Sequence, residues 1–589
     1  MRFLSNILST IIGLFLFVMI LIFGLIFLGA LLGGSNSSKV SVKENSVIEL
    51  DLAKISSDYG GQYYIKDFDY KQVNNDGFVD VLRALEAAKT DTKIKGISII
   101  NGTNNLGLAQ LSELRQKLDE FKQTGKFVVA YGDIYSQKHY YLNTIADTVY
   151  VNPVGALDFR GLGSEILFYK DFQEKTGIKM EVIRHGKYKS AVEPYLENTI
   201  SEANREQNLV LLNSIWNSIS AAISKSRNIT VDSLNSIANN LAAQFPEDAL
   251  ALNMVDKVVY EDEYHNGIKH ALGVAKNDAY NKVKIKDYAF DVANTVKSYE
   301  KVDKVAVIFA QGTILSGEGD VSYIGEGSIR RSIQEARNNK TVKAIVLRVD
   351  SPGGSALTSD LIWREIELTK NVKPVIVSMG NLAASGGYYI SCNADKIYAD
   401  PATITGSIGV FGVVPNIATL SNNIGIHASQ VQTHKQAIGY SVFEPMTTDF
   451  RADVTKSIEK VYDTFIGRVA KGRNMTKEQV NEIAQGRVWT GAEAVKIGLV
   501  DELGSLDDAI AEAAKMAEVE NYKVSDFPMY ETDFEGILSK LFAFSFLQSK
   551  ETLVKEYVGE QAYQALEQQK ILQKMEGVQA ILPYRLDIK

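Results

Sequence analysis

Apolar residues gather first in one unbroken run. From Ile7 to Leu32 the chain is almost wholly Leu, Ile, Phe, Val and Gly, and no charged residue falls between Phe3 and Ser38. As a helix these 26 residues span about 39 Å at 1.5 Å per residue, enough to cross a bilayer with tilt. The run is longer than the apolar part of a signal peptide, and no clear small-x-small site follows it. The pattern therefore predicts an uncleaved signal anchor over residues 1–45, spanning about 7–32, with a cleaved signal as the other reading. Gly33 to Ser38 reads as a short tether. Arg2 flanks one end and Lys39 and Lys43 the other, so charge barely sets the orientation.

Beyond residue 45 short apolar runs alternate with amphipathic stretches, and the alternation occurs twice. Ala146-Asp147-Thr148-Val149-Tyr150-Val151-Asn152-Pro153 matches Ala394-Asp395-Lys396-Ile397-Tyr398-Ala399-Asp400-Pro401 at an offset of 248. At the same offset Tyr140-Tyr141 falls on Tyr388-Tyr389 and Lys95 to Ile99 falls on Lys343 to Leu347. Ala249 to Asp256 echoes Ala494 to Asp501 at a nearby offset. Each copy reads as strand, helix, strand, helix, strand, which is an α/β unit with largely parallel strands. The boundary is expected near residue 300, in the polar stretch Lys297 to Lys304. This gives copies at 46–300 and 301–530, and a helical extension at 531–589. Within that extension Phe534 to Leu547 is Phe- and Leu-rich, suited to a membrane surface, a subunit contact or an ordinary core helix. Glu551 to Met575 reads as a polar helix with a thin apolar stripe.

Composition excludes more than it assigns. With 589 residues two or more cores are expected. A net charge of −8 with no basic block gives no support to nucleic-acid binding. The single cysteine, Cys392, excludes an intrachain disulfide. The six histidines show no metal-binding spacing, so neither a metal nor another cofactor is expected.

The chemistry gathers in the second copy. Val375-Ile376-Val377, between Pro374 and Gly380, reads as a buried strand; Ala383-Ala384-Ser385-Gly386-Gly387 follows and leads into a helix. A serine between small residues at a strand-to-helix turn has an unscreened hydroxyl beside free N–H groups, a fit place for a nucleophile that generates an oxyanion. The plainer reading is an N-cap with glycines for close packing. The first copy has Gln137 where the second has Ser385, and Gly102 to Leu106 where the second has Asp350-Ser351-Pro352-Gly353-Gly354. A serine needs a proton acceptor. His427 and His434 have no motif around them, whereas Lys187 and Lys189 lie among small and apolar residues in Gly186 to Pro194. A buried lysine loses its charge and becomes a base.

Together, Tyr188-Lys189-Ser190-Ala191-Val192-Glu193-Pro194, then DSPGG, AASGGYY and TGSIGV in the second copy, resemble the signal peptide peptidase SppA (protease IV) family in its long, duplicated bacterial form. The resemblance runs from the anchor to Gly577–Tyr584. It implies two tandem Clp protease/crotonase-like repeats after one transmembrane helix, and a membrane-anchored Ser/Lys protease. It makes Ser385 the nucleophile and Lys189 the general base, preferred to Lys187 because the family's lysine directly follows the tyrosine. It makes Ser407 the residue that orients the lysine, and the N–H groups of Gly354 and Gly386 the oxyanion hole. It further implies signal peptides and other short hydrophobic peptides as substrates, a homotetramer, and a bacterial inner membrane location with the catalytic repeats on the periplasmic side. Two rival readings are a crotonase-fold acyl-CoA enzyme, which would use carboxylates for proton transfer, and a non-catalytic membrane scaffold.

Overall fold

The computed structural model describes residues 2–35, 42–53, 55, 57–101, 106–295, 302–532 and 579–581. The first element, α1, is a helix over Arg2–Ser35. Its side chains from Ile11 to Phe23 are exposed on every face. Among the described residues no helix is long and apolar enough to cross a membrane. In α1 side chains are described only as far as Gly24, so the expected span over 7–32 reaches beyond them.

Two sheets follow, one in each copy of the repeat. The first has the order Lys257–Val258, Thr148–Asp158, Phe127–Ser136, Ile94–Ile100, Ser46–Asp51, Asn281–Lys284, parallel throughout. The second runs Val488–Thr490, Ile404–Gly406, Val375–Ala384, Val342–Ser351, Asp303–Gln311, Tyr522–Phe527, with Lys396–Ala399 also beside Val375–Ala384. Its central strands are buried on both faces, as the continuous apolar runs require: Val305 to Ala310 and Val375 to Met379 are without exposure. The helix Ile285–Thr295 closes the first copy and Asp303 opens the first strand of the second. Most of the expected boundary, 297–301, lies outside the described residues.

A third sheet crosses the seam. In chain order it includes β1 (Lys179–His185), β2 (Gly353–Ser355), β3 (Val410–Asn416) and β4 (Gln579–Ile581). In space the order is Tyr323–Gly325, Thr313–Leu315, β2, β4, β3, β1. β1 comes from the first copy and lies antiparallel to β3 of the second, from His185 opposite Val410 to Lys179 opposite Asn416. Of the expected helical extension over 531–589 only residues 531–532 and 579–581 are described, the latter as the strand β4. Its backbone finds hydrogen-bonding edges on β2 and β3, and this pairing holds it extended. Phe534 to Leu547 and Glu551 to Met575 lie outside the described residues.

The copies also share their interiors. Ala384, Ile404 and Val488 pack in the core of the first copy, and Ile183 of β1 packs in the core of the second. At the seam the Arg348 guanidinium is buried. It donates to both carboxylate oxygens of Glu113 (2.8 and 2.9 Å), to Asp58 (2.7 Å) and to Ser378 (2.9 Å). Burial pushes the Glu113 carboxyl up to about 7 against the pull of Arg348, and lifts Asp350 and Asp400 to about 6. Farther along, Gln62–Ile65 pairs parallel with Met529–Thr532, Tyr59 donates its hydroxyl to the Pro528 carbonyl, and Arg83 forms a two-pronged ion pair with Asp526.

Candidate active site

Ser385 stands where the buried strand Val375–Ala384 ends and α2 (Gly386–Ser391) begins. Its backbone is at φ 55°, ψ −112°, a region that non-glycine residues rarely occupy. The turn is held because the Ser385 N–H donates to the Gly406 carbonyl at 2.8 Å. Small neighbours are obligatory. A Cβ on Gly386 would come within 2.8 Å of the Ser359 hydroxyl, and one on Gly387 within 2.7 Å of the Ser351 carbonyl.

Lys189 arrives from the other copy, on the loop after β1. Its Nζ lies 3.0 Å from Ser385 Oγ, 3.0 Å from Ser407 Oγ and 3.2 Å from the Ser407 carbonyl oxygen. All three residues are wholly buried. Burial alone holds the Lys189 pKa well below the usual lysine value, with no charged partner among the causes. A neutral amine fits these partners: two N–H bonds donate to the Ser407 oxygens, and the lone pair faces the Ser385 hydroxyl.

The glycine turn completes the cluster. Gly353 and Gly354 have φ of +99° and +154°, conformations in which a side chain would be strained. A Cβ on Gly386 would stand 3.1 Å from Gly354 N, and one on Gly353 would stand 2.7 Å from Gly386 N, so the glycine turn and the start of α2 are in close contact. The sequence-predicted residues Ser385, Lys189, Ser407, Gly354 and Gly386 thus meet at one place. The alternatives do not join them. Lys187 is exposed and lies over the Tyr188 ring, while His427 and His434 are exposed and bond Asn422 and Thr433.

One contributor was not read from the sequence. The segment Gln485–Gly486–Arg487 grips the lysine arm. Gln485 accepts from Tyr188 N (2.9 Å), Arg487 accepts from Ser407 N (2.7 Å), and a Cβ on Gly486 would stand 2.7 Å from the Lys189 backbone. The Arg487 guanidinium also stacks on Tyr188 and Trp489. Glycine before arginine, between a helix and a short strand, was the available signal.

Comparison with known proteins gives the family. The profile of Peptidase family S49 matches residues 120–275 and again residues 367–520. The chain belongs to peptidase family S49. "Protease 4" of Haemophilus influenzae is 36% identical over 492 residues, covering 81% of this chain and 79% of that protein. "Protease 4" of Salmonella typhi is 33% identical over 537 residues, covering 86% and 84%. "Serine protease SPPA, chloroplastic" of Arabidopsis thaliana is 34% identical over 437 residues, covering 73% and 64%. This S49 chain is therefore a serine protease, and acyl-CoA chemistry and a non-catalytic scaffold are set aside.

Proposed function

We propose that this S49 protease cleaves signal peptides and other short hydrophobic peptides with a Ser385/Lys189 dyad assembled across the two repeats. The observation that carries the reading is the wholly buried Lys189 amine, 3.0 Å from the Ser385 hydroxyl. An extended peptide takes the place of β4 as a strand beside β2 and offers its carbonyl to Ser385. Ser385 Oγ attacks as its proton passes to the Lys189 amine. The N–H groups of Gly354 and Gly386 receive the oxyanion. Lys189 then gives the proton to the departing amine, and water, activated by the same lysine, hydrolyses the acyl ester. Ser407 holds the amine in line through its hydroxyl and carbonyl oxygens.

The membrane anchor belongs to the same reading. α1, with its exposed apolar side chains, is the single-pass anchor in the bacterial inner membrane, and the repeats stand on the periplasmic side. A homotetramer is supported by the duplication. Within the chain β1 of the first copy pairs with β3 of the second. Their counterparts, 162–168 in the first copy and 427–433 in the second, lie outside any strand or helix, and the latter is exposed throughout. The same pairing between neighbouring chains joins copies head to tail into a closed ring.

The test is cleavage of a synthetic signal peptide by protein starting at about residue 46, beside Ser385→Ala and Lys189→Ala. Both variants are expected to be inactive with unchanged circular dichroism. Wild-type turnover in Lys189→Ala removes the lysine from the mechanism, and turnover in both variants removes the dyad.

A further inference from the structure

The nucleophile's strand is irregular just before it ends. Along the parallel pair Val342–Ser351 and Val375–Ala384, Val349 faces Met379 and Ser351 faces Ala383. The single residue Asp350 therefore stands opposite three, Gly380, Asn381 and Leu382. A bulge of this kind interrupts the ladder, and its freed backbone groups need other partners. The Asp350 carboxylate provides them. It accepts from Leu382 N at 2.9 Å and from the Asn381 side-chain amide at 3.3 Å. Gly380 keeps the space open, since a Cβ there would stand 3.0 Å from the Asp350 Cβ.

The bulge is tied to the first copy as well. Asn381 Oδ1 accepts at 3.3 Å from the Gln110 N–H, in the first turn of the helix Leu108–Gln123. Gly107 makes room for this contact: a Cβ there would collide with the Asn381 amide. The Gln110 side chain donates at 2.6 Å to Asp58, which also receives Arg348. Only one orientation of the Asn381 amide suits both neighbours, its oxygen toward the Gln110 N–H and its NH2 toward the carboxylate. Three residues beyond Leu382 on one strand comes Ser385, and three beyond Asp350 on the other comes Gly353. On that second strand the Ser351 hydroxyl accepts from Gly353 N at 3.1 Å.

From this chain of bonds we infer that Asp350 and Asn381 are positioning residues for peptide cleavage. The docked first copy orients Asn381, Asn381 fixes the Asp350 carboxylate, and the carboxylate sets the bulge from which Ser385 and the glycine turn both continue. The first copy thereby has a second task besides supplying Lys189: the start of its helix aims the nucleophile. Both roles presuppose the Ser385/Lys189 reading above.

The bond directions supply the test. In Asp350→Asn every setting of the two amides leaves one pair of donors facing each other, and in Asn381→Asp two carboxylates meet. The double variant Asp350→Asn/Asn381→Asp restores every bond with one direction reversed. Residue 350 again accepts from Leu382 N but donates to residue 381, which still accepts from Gln110 N. Cleavage of a synthetic signal peptide by the full chain in detergent is compared for wild type, both single variants, the double variant and Ser385→Ala. The buffer is mildly alkaline, so that Asp350, lifted to about 6, is ionised. Each single variant is expected to lose about ten- to a hundredfold in kcat, with KM within about twofold and circular dichroism unchanged. The double variant is expected to recover kcat to within about threefold of wild type. Single variants that cut like wild type overturn the inference and leave the dyad standing. So does a loss that falls on KM instead of kcat, which assigns the pair to peptide binding. Where a single variant does not fold, the double variant decides alone: recovered cleavage supports the pairing, and a double variant that is inactive or unfolded overturns it. A wild type that does not cut, or a Ser385→Ala that does, overturns the dyad reading and this inference with it.

Discussion

The two copies keep the same frame and differ where bonds are broken. In the first, Tyr140 donates to the Met254 carbonyl and Arg227 pairs with Asp256, which also accepts from Val149 N. In the second, Tyr388 donates to the Leu499 carbonyl and Arg473 pairs with Asp501, which accepts from Ile397 N. Even the lysines behind the sheets correspond: Lys126 reaches the carbonyls of Ala88 and Asp91, and Lys373 those of Ala336 and Asn339. At the reacting position the first copy has Gln137, whose side-chain oxygen accepts from Arg160 N and Gly161 N. Where the second has Ser407, the first has Phe159, packed between Tyr140 and Trp216. The lysine arm is reversed. The first copy sends Lys189 across the seam, while its counterpart stretch in the second, His427 to Ala437, lies exposed. Three local changes thus separate the copies, and on the proposed reading they leave a base-giving half and a nucleophile-bearing half.

Several substitutions break or sharpen this contrast. Ser385→Ala and Lys189→Met are expected to lower kcat/KM by about three to four orders of magnitude in peptide cleavage. In wild type kcat/KM is expected to rise with pH as Lys189 loses its proton, because on the proposed mechanism only the free amine accepts from Ser385; a profile without that rise in a pH series on the same peptide removes Lys189 as the base. Stability moves in the same direction. The folded-state pKa of Lys189 is lowered, so between that value and the unfolded lysine value the unfolded chain binds more protons and stability falls as pH falls. Lys189→Met removes that cost and is expected to raise the melting temperature at neutral pH; a lower value means that the amine's bonds to Ser407 outweigh its desolvation. Gly354→Ala forces a side chain into φ +154° and against the Ile314 backbone, and about a hundredfold loss of kcat is expected, read with KM on the same peptide.

The seam gives a smaller effect. Glu113 titrates near 7 in the fold and near 4.5 when free, so the folded state holds a proton that the unfolded chain lacks between those values. Stability therefore falls as pH rises from about 5 to about 7, and Asp350 and Asp400 add the same sign up to about 6. Glu113→Gln is expected to have a lower melting temperature, since it loosens Arg348, and a shallower fall over that window. An unchanged slope means that Glu113 is ionised throughout. The smallest effect is none: Gln137→Ser should add no activity to Ser385→Ala, because the Lys189 amine is held at residue 385 in the other copy.

Much of this was legible in the sequence because it is local. The apolar run Val375–Val377 and the small residues around Ser385 specify a strand and a tight turn by themselves, and the offset of 248 exposes the duplication. Lys189 required the family motif, since burial of a lysine is a property of the assembled seam. The grip of Gln485–Arg487 on the lysine arm, the Arg348 network and the tail strand were not legible. Each joins residues hundreds of positions apart (Arg348 to Asp58 is 290 apart) through partners that no local period marks. The tail read as part of a helical extension because its three residues are extended only through pairing with β2 and β3.

The parallel pair of Gln62–Ile65 with Met529–Thr532 has a further meaning for how this molecule is made and unmade. It knots the earliest part of the first copy to the last part of the second; Tyr59 and Pro528, which bond beside it, are 469 residues apart. On a ribosome the lysine half must therefore wait, incomplete, until the nucleophile half has been synthesised, and no active protease exists during that wait. Once closed, the clasp works in the other direction. A single nick near residue 300 is expected to leave two fragments that migrate together and still cut until the whole fold is melted; fragments that part in native gel electrophoresis would break the clasp.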